Sequence, residues 1–351
     1  MSPQPPIHIK EFRSSEEPYQ ILPGRTLGTG RWSNVLLATP SQSSSSIVPH
    51  HDDGFLTPPA SPTTPKTVGQ LASEKRPEFY AIKTAANRAC IAALRHEATI
   101  LTYLSTKRDH HMHIVTFHGY DESQNGLVFT AMPTSLETVI TNNLASQNES
   151  NRTSTLATIL PPMIKSLVSS LAWLHNTGIV HGDIKPGNIL LKSTGPFDQN
   201  ADILKGPFQQ LLADFTSSFG LVDTIMYDPS TYAVHGGGTY EYLAPELLSK
   251  PYPPPAKPAD VYAMAITILT VIIGASPFSC AAGNRFRLLD MIKAGQPLEY
   301  AQRDHLSADR IFDVAMAVKR SSGMDVLRML KKALRKDPAE RLSAKDWYGE
   351  F

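Results

Sequence analysis

Three polar side chains stand close together in His181-Gly182-Asp183-Ile184-Lys185-Pro186-Gly187-Asn188-Ile189-Leu190-Leu191. Asp183 can accept the proton of a hydroxyl and align that hydroxyl. Lys185 can place a cation beside a phosphate, and Asn188 offers an oxygen to a hard cation. Such a set in one tight loop suits phosphoryl transfer. Upstream, Lys83 ends the apolar stretch Phe79-Tyr80-Ala81-Ile82-Lys83, and Glu97 lies in His96-Glu97-Ala98-Thr99-Ile100-Leu101. Gly28 and Gly30 sit between two strand-like runs in Leu27-Gly28-Thr29-Gly30-Arg31-Trp32-Ser33-Asn34-Val35. Glycines there let the backbone bend sharply and approach phosphates closely. Asp214-Phe215-Thr216 adds a further carboxylate. Alone, each string has an ordinary reading as a turn, a hairpin or a solvated charge. Their number and order favour one shared site.

Together the strings resemble the motif set of eukaryotic protein kinases, and Lys185 resembles the mark of the serine/threonine class. The resemblance covers roughly Ile21 to Leu342. It implies an α+β, bilobal fold with a small β-rich lobe over 21–132 and a larger α-helical lobe over 133–351, after a flexible lead-in over 1–20. It implies ATP and Mg²⁺ as cofactors and protein substrates with Ser/Thr acceptors. Asp183 would be the base, Lys185 and Lys83 would hold phosphates, and Glu97 would pair with Lys83. Asn188 and Asp214 would bind the metal. Leu27, Gly28, Gly30, Val35, Ala81 and Leu190 would surround the nucleotide. Backbone groups of Thr130 and Met132 would bond adenine, with Phe129 as gatekeeper. The resemblance also makes Thr239 a shaper of the substrate site, Glu246 and Arg341 an ion pair, and Asp260 the anchor of the loop around Asp183. The stretch from Val128 to Leu136 has the hinge length of cyclin-dependent kinases. That suggests kinship with them or their activating kinases, and cell-cycle or signalling kinases as partners.

Departures from the family pattern bear on control. Gly182 replaces the arginine that meets an activation-loop phosphate through charge-assisted hydrogen bonds, so activity without that phosphate is expected. Ser33 replaces the third glycine and should stiffen the loop tip. Thr130 replaces the usual hinge Glu. Thr216 replaces a glycine, and a β-branched residue at φ > 0 is costly, so a flip of this segment should be disfavoured. Ser33 and Thr216 keep open an alternative: a pseudokinase scaffold that binds nucleotide or partners without turnover. The retention of Lys83, Asp183, Asn188 and Asp214 argues for an enzyme.

The elements that must position these groups follow from periodicity. A strand starts at Ile21, and others cover Phe79–Lys83, His113–His118 and Leu127–Ala131. Helical spacing runs over Ala89–Leu104 and Ile159–Asn176, with later helices near Pro245–Ser249, Ala259–Gly274, Arg285–Ala294 and Met324–Leu334. Residues about 40–78 are Ser- and Pro-rich and are expected as a disordered insertion. Thr57-Pro58, Ser61-Pro62 and Thr64-Pro65 within it suit proline-directed kinases, unless Ser and Pro simply accumulate there. A second, surface insertion is expected around 193–209.

With 351 residues the chain exceeds one usual core. Its net charge of +1 gives no reason to expect nucleic acid or an acidic membrane as partner. The longest apolar run, Val261 to Ala275, is shorter than the roughly 20 residues that span a bilayer and reads as a buried helix. The N-terminus lacks the apolar core of a signal peptide. Two cysteines, Cys90 and Cys280, match no metal or redox spacing and are expected as buried or half-buried thiols. An intracellular protein, cytoplasmic or nuclear, is expected.

Overall fold

The computed structural model describes residues 7–30, 32–41, 76–193, 195–200, 202–220, 239–249 and 256–351. The Ser/Pro-rich insertion, apart from its ends, lies outside them with Thr57, Ser61 and Thr64, as do residues 221–238.

Five antiparallel strands form the small lobe in the order β1-β2-β3-β5-β4. They are β1 Tyr19–Thr29, β2 Ser33–Pro40, β3 Tyr80–Ala85, β4 Phe117–Asp121 and β5 Gly126–Thr130. The central strand β3 is buried from Tyr80 to Lys83, as its nearly unbroken apolar run requires. Helix α1, Ile91–Ser105, lays Leu94, Ala98, Leu101 and Leu104 into the same core as Phe117, Tyr120 and Leu127. That spacing is one face of a helix.

Strand β4 begins four residues later than expected. His113 to Val115 instead joins the small lobe to the large one. Val115 N–H donates to the Leu212 carbonyl (3.1 Å), and Leu212 N–H donates to the His113 carbonyl (2.9 Å).

The lead-in is also not loose from residue 7 on. Phe12 N–H donates to the Tyr120 carbonyl (2.9 Å), and Tyr120 N–H donates to the Lys10 carbonyl (2.8 Å). Lys10 N–H reaches Thr102 Oγ1 on α1 (2.9 Å). Phe12 is buried, with its ring 5.8 Å from those of Tyr19 and Tyr80. Ile7, Ile9 and Phe12 supply apolar surface that the Pro, Ser and Glu around them obscured. The segment covers the open edge of β4, which would otherwise present unpaired backbone groups. Gly119 allows it: φ is +152°, and a Cβ there would lie 2.6 Å from Glu11 backbone.

The large lobe is mainly helical. After the short strand β6 Thr134–Ser135 comes the single turn α2 Leu136–Thr138, then the 28-residue helix α3, Glu149–Asn176. Helix α3 starts ten residues before the expected position. Asn148 caps it by accepting the Asn151 N–H, and Pro161 and Pro162 fall inside it. Pro161 cannot bond the Ala157 carbonyl one turn back. Ser321 Oγ donates to that carbonyl instead (3.1 Å). By length and composition alone α3 could cross a membrane. Here Leu160, Ile164, Leu167, Leu171 and Leu174 are buried in the lobe core, which makes it a core helix.

Strands β7 Ile179–Val180, β8 Ile189–Ser193, β9 Phe208–Leu212 and β10 Phe219–Gly220 follow. They pair as β6-β8-β9 and β7-β10. Helix α4, Lys257–Ile273, is buried from Ala259 to its end and stops at Gly274 (φ +80°). It is the buried helix expected from the long apolar run. Next come α5 Arg285–Ala294, α6 Pro297–Gln302, α7 His305–Ser322, α8 Val326–Ala333 and α9 Ala344–Tyr348. Helix α7 is not among the expected elements. Asp304 caps it, and Ile311, Val314 and Val318 bury its inner face. Near Pro245 the expected helix is a short 3₁₀ helix, Pro245–Leu248. Cys90 is buried as expected, whereas Cys280 is exposed on the turn before α5.

Replacing Gly119 by Val should expel the N-terminal segment. Hydrogen exchange at the Phe12 and Tyr120 amides should then quicken roughly tenfold or more, as locally opened structure does. Unchanged protection would show that the segment docks without needing the glycine.

Candidate active site

The loop around Asp183 is built on a buried carboxylate. Asp260 stands in the first turn of α4, where the helix dipole favours negative charge. It accepts the His181 N–H (2.8 Å), the Gly182 N–H (3.0 Å) and a contact from His175 Nε2 (3.0 Å). His181 is fully buried. Burial holds its pKa below the ordinary value despite nearby carboxylates, so the ring is neutral. Its bonds agree: Nδ1 accepts the Asp183 N–H (3.3 Å), while Nε2 faces the Ala213 carbonyl (3.2 Å).

Asp183 is held from three sides. Lys185 Nζ donates to its Oδ2 (2.7 Å) and to Thr239 Oγ1 (2.8 Å). Thr239 N–H donates to Oδ1 (2.9 Å). Asn188 Nδ2 donates to the Asp183 carbonyl (2.8 Å) and to Oδ2 (3.1 Å). Asn188 is buried, and its Oδ1 accepts no hydrogen bond among the described residues.

Across the lobes, Lys83 Nζ lies 2.7 Å from Glu97 Oε2 and 2.8 Å from Asp214 Oδ1. Burial alone would lower the lysine pKa, but the two carboxylates outweigh it and hold the ammonium charged. Burial pushes Glu97 up, and Lys83 pulls it back only in part. For Asp214 the ammonium outweighs burial and holds the carboxyl well below the usual range. Phe215 N–H donates to Glu97 Oε1 (3.0 Å), and His96 Nε2 meets the Ser218 carbonyl (2.6 Å). Helix α1 is thus bound both to β3 and to the segment after Asp214.

Two apolar clusters meet at Phe129. Leu27, Val35 and Ala81 belong to one, and Met132 and Leu190 to the other. Between them, Thr130 N–H bonds the Thr116 carbonyl and Ala131 N–H bonds the Phe79 carbonyl (3.0 Å each). Met132 N–H has no partner among the described residues. In the β1–β2 hairpin Gly28 pairs with Val35, and Gly30 N–H bonds the Ser33 carbonyl (2.9 Å). Arg31 lies outside the described residues.

Glu246 and Arg341 form the expected pair, with Nη1–Oε1 2.5 Å and Nη2–Oε2 2.7 Å. Arg341 also bonds three backbone carbonyls, those of Arg335, Lys336 and Pro258.

Residues 66–350 match the family described as Protein kinase domain. This chain belongs to the protein kinase family. It is similar to calcium/calmodulin-dependent protein kinase type I of Schizosaccharomyces pombe, with 27% identity over 72% of this chain and 63% of that one. It is also similar to serine/threonine-protein kinase TOS3 of Saccharomyces cerevisiae, with 28% identity over 52% of this chain and 30% of that one. The chain therefore spans less than two thirds of either relative. A solved kinase domain shares the fold at a TM-score of 0.57, covering 94% of this chain and 93% of its own at 18% identity. The architecture is the bilobal kinase fold.

The residues fit ATP and Mg²⁺. Neither Gly28 nor Gly30 has a positive φ. No atom lies within 4 Å of a Cβ built on Gly28, and the nearest to one on Gly30 is the Ser33 carbonyl at 3.6 Å. Their backbone is open to a phosphate. Asn188 and Asp214 offer few oxygens, which suits Mg²⁺, an ion that completes its shell with phosphates and water. No group of three or more His, Cys, Asp and Glu suited to a metal ion occurs among the described residues.

Thr216 does not carry the positive φ; Asp214 does, at +62°. The expected cost of a β-branched residue concerns the flipped segment, a conformation other than this one. The stretch around 193–209 is not only surface. Ile203 is buried, Phe197 packs on Phe79 with ring centroids 4.9 Å apart, and Arg25 of β1 bonds Gln199 (2.8 Å). It thus ties the large lobe to the edge of the small one. No local pattern marked Phe197, because its partners are more than 100 residues away.

Replacing Lys83 by Met leaves Glu97 and Asp214 together without a cation. The variant should lose ~3 kcal/mol near neutral pH, the order seen when one partner of a buried pair is removed. Burial, with Asp214 alongside, then raises Glu97 against only the Phe215 N–H, above its unfolded pKa of about 4.3. A raised acid contributes stability at low pH and loses it as pH rises through its folded pKa. The deficit in melting temperature should shrink between about pH 8 and pH 5; a constant deficit would contradict this electrostatic account.

Proposed function

We propose that this chain is a protein serine/threonine kinase that transfers the γ-phosphoryl of ATP to protein hydroxyls. The observation that carries this reading is the convergence of Lys83, Asp183, Lys185, Asn188 and Asp214 from both lobes, each held by named partners. Asp183 accepts the hydroxyl proton and aligns the acceptor, with Thr239 and Lys185 fixing its carboxylate. Lys185 and Lys83 hold phosphate oxygens. Asn188 and Asp214 would hold Mg²⁺, which supplies charge neutralisation on the phosphates. Leu27, Val35, Ala81 and Leu190 enclose the base, while Thr130 and Met132 present backbone groups to it. Ser or Thr side chains of proteins are the acceptors.

Control without activation-loop phosphate is part of the proposal. Gly182 has φ +79°, and a Cβ there would lie 2.5 Å from the Ser217 carbonyl oxygen. An arginine could not take this backbone without moving Ser217. Meanwhile Thr239, Lys185 and Asp183 close on one another through their own hydrogen bonds. Kinship with cyclin-dependent kinases, and cell-cycle or signalling kinases as partners, has only the hinge length in support. An intracellular site fits the supply of ATP. Against the scaffold alternative, which Ser33 and Thr216 motivate, stands the retention of Lys83, Asp183, Asn188 and Asp214.

Radiolabel transfer from ATP should occur with wild type and fall at least 10³-fold in Asp183→Asn, in line with the loss of a positioned base. Equal counts from both would refute the enzymatic reading. Protein made in bacteria and treated with phosphatase should keep its activity; a large loss would refute the phosphate-independent control.

A further inference from the structure

Asp214 has an unusual set of partners. Its backbone is left-handed, at φ +62°, a region that residues other than glycine reach at a cost. Asp bears that cost better than most when its short side chain bonds locally. The local bond is present: Thr216 Oγ1 donates to Asp214 Oδ1 at 2.6 Å. The Thr216 N–H, which a glycine would also have, is 3.4 Å from the same oxygen, too long for a good hydrogen bond. Lys83 Nζ also donates to Oδ1, at 2.8 Å. Among the described residues, both strong donors thus converge on one oxygen, and Oδ2 accepts none.

We propose that Thr216 is a positioning residue, whose hydroxyl holds the Asp214 carboxylate so that Oδ1 stays on Lys83 and Oδ2 stays free for a divalent cation. The threonine that stands where the family has glycine is on this view a gain of control over the metal ligand. Thr216 is itself nearly buried, and its neighbour Phe215 donates its N–H to Glu97. Its hydroxyl is therefore held close to Asp214 from a fixed segment, and ordering it adds little entropic cost. The inference rests on the kinase reading, and in particular on Asp214 as a metal ligand.

The test is binding of a fluorescent ATP analogue to wild type, Thr216→Val, Thr216→Gly and Thr216→Ser, each in Mg²⁺ and in EDTA. A hydrogen bond to a charged group is strong enough that losing it should cost roughly tenfold in affinity. Thr216→Val and Thr216→Gly should lose that factor in Mg²⁺ only, and Thr216→Ser should match wild type. All four should bind alike in EDTA, which a merely structural role would not produce. Full Mg²⁺-dependent affinity in Thr216→Val would overturn the inference alone, as would an equal loss in EDTA. Wild type that binds identically with and without Mg²⁺ would overturn Asp214 as metal ligand, and the kinase reading with it.

Discussion

One buried ammonium organises the site. Lys83 is charged with only 7% of its side chain exposed, a state that costs several kcal/mol unless its partners are well placed. Those partners come from two other parts of the chain: Glu97 on helix α1, and Asp214, 131 residues after Lys83. Neither carboxylate is stable beside the other without the cation. The three groups must therefore be assembled together, and with them β3, α1 and the start of the segment after Asp214. A pair of this kind is weak evidence for stability and stronger evidence for a specified geometry. The further ties between α1 and that segment, through Phe215 and His96, act in the same direction.

The large lobe uses the same device twice more. Asp260, at the start of α4, collects two backbone N–H groups from the loop before Asp183. Arg341, near the chain's end, collects Glu246 and three backbone carbonyls. Each buried charge satisfies groups that would be left unpaired where the backbone turns without regular structure. Irregular loops that carry polar side chains at fixed distances need such anchors, because no sheet or helix ladder holds them. The apolar length of α4 gives Asp260 its rigidity: every residue from Ala259 to Ile273 is buried.

The site was far more legible in the sequence than the elements that frame it. Asp183, Lys185 and Asn188 could be read because phosphate and metal chemistry suits those residue types in one tight loop, and Lys83 and Asp214 because their strings resemble kinase motifs in the family's order. Glu97 was implied by the resemblance as the partner of Lys83, and the helical spacing of the apolar residues after it supported the choice. The frame was harder to read for identifiable reasons. Helical spacing placed the start of α3 at Ile159, whereas the helix runs from Glu149 through Pro161 and Pro162, and Ser321, some 160 residues on, satisfies the carbonyl that Pro161 leaves open. The segment from Ile7 to Phe12 looks like a loose tail until the edge of β4, more than 100 residues later, receives it. Phe197 is visible only through Phe79. In all three cases the deciding partner is remote, and local composition cannot report it.

Thr216 and Gly182 show how a local rule can misplace its weight. A threonine in a glycine's position suggests strain, but strain depends on which residue takes the left-handed backbone. Here Asp214 takes it and Thr216 offsets it with a hydroxyl. At Gly182 the glycine reads first as a lost arginine. The backbone adds that φ is positive and that the Ser217 carbonyl lies against the place of a side chain. The missing charge and the close approach of Ser217 are thus one structural choice. With no side chain at 182, Ser218 Oγ can donate to the His181 carbonyl (2.8 Å). The segment after Asp214 then docks on the loop around Asp183 through the Ser218 hydroxyl.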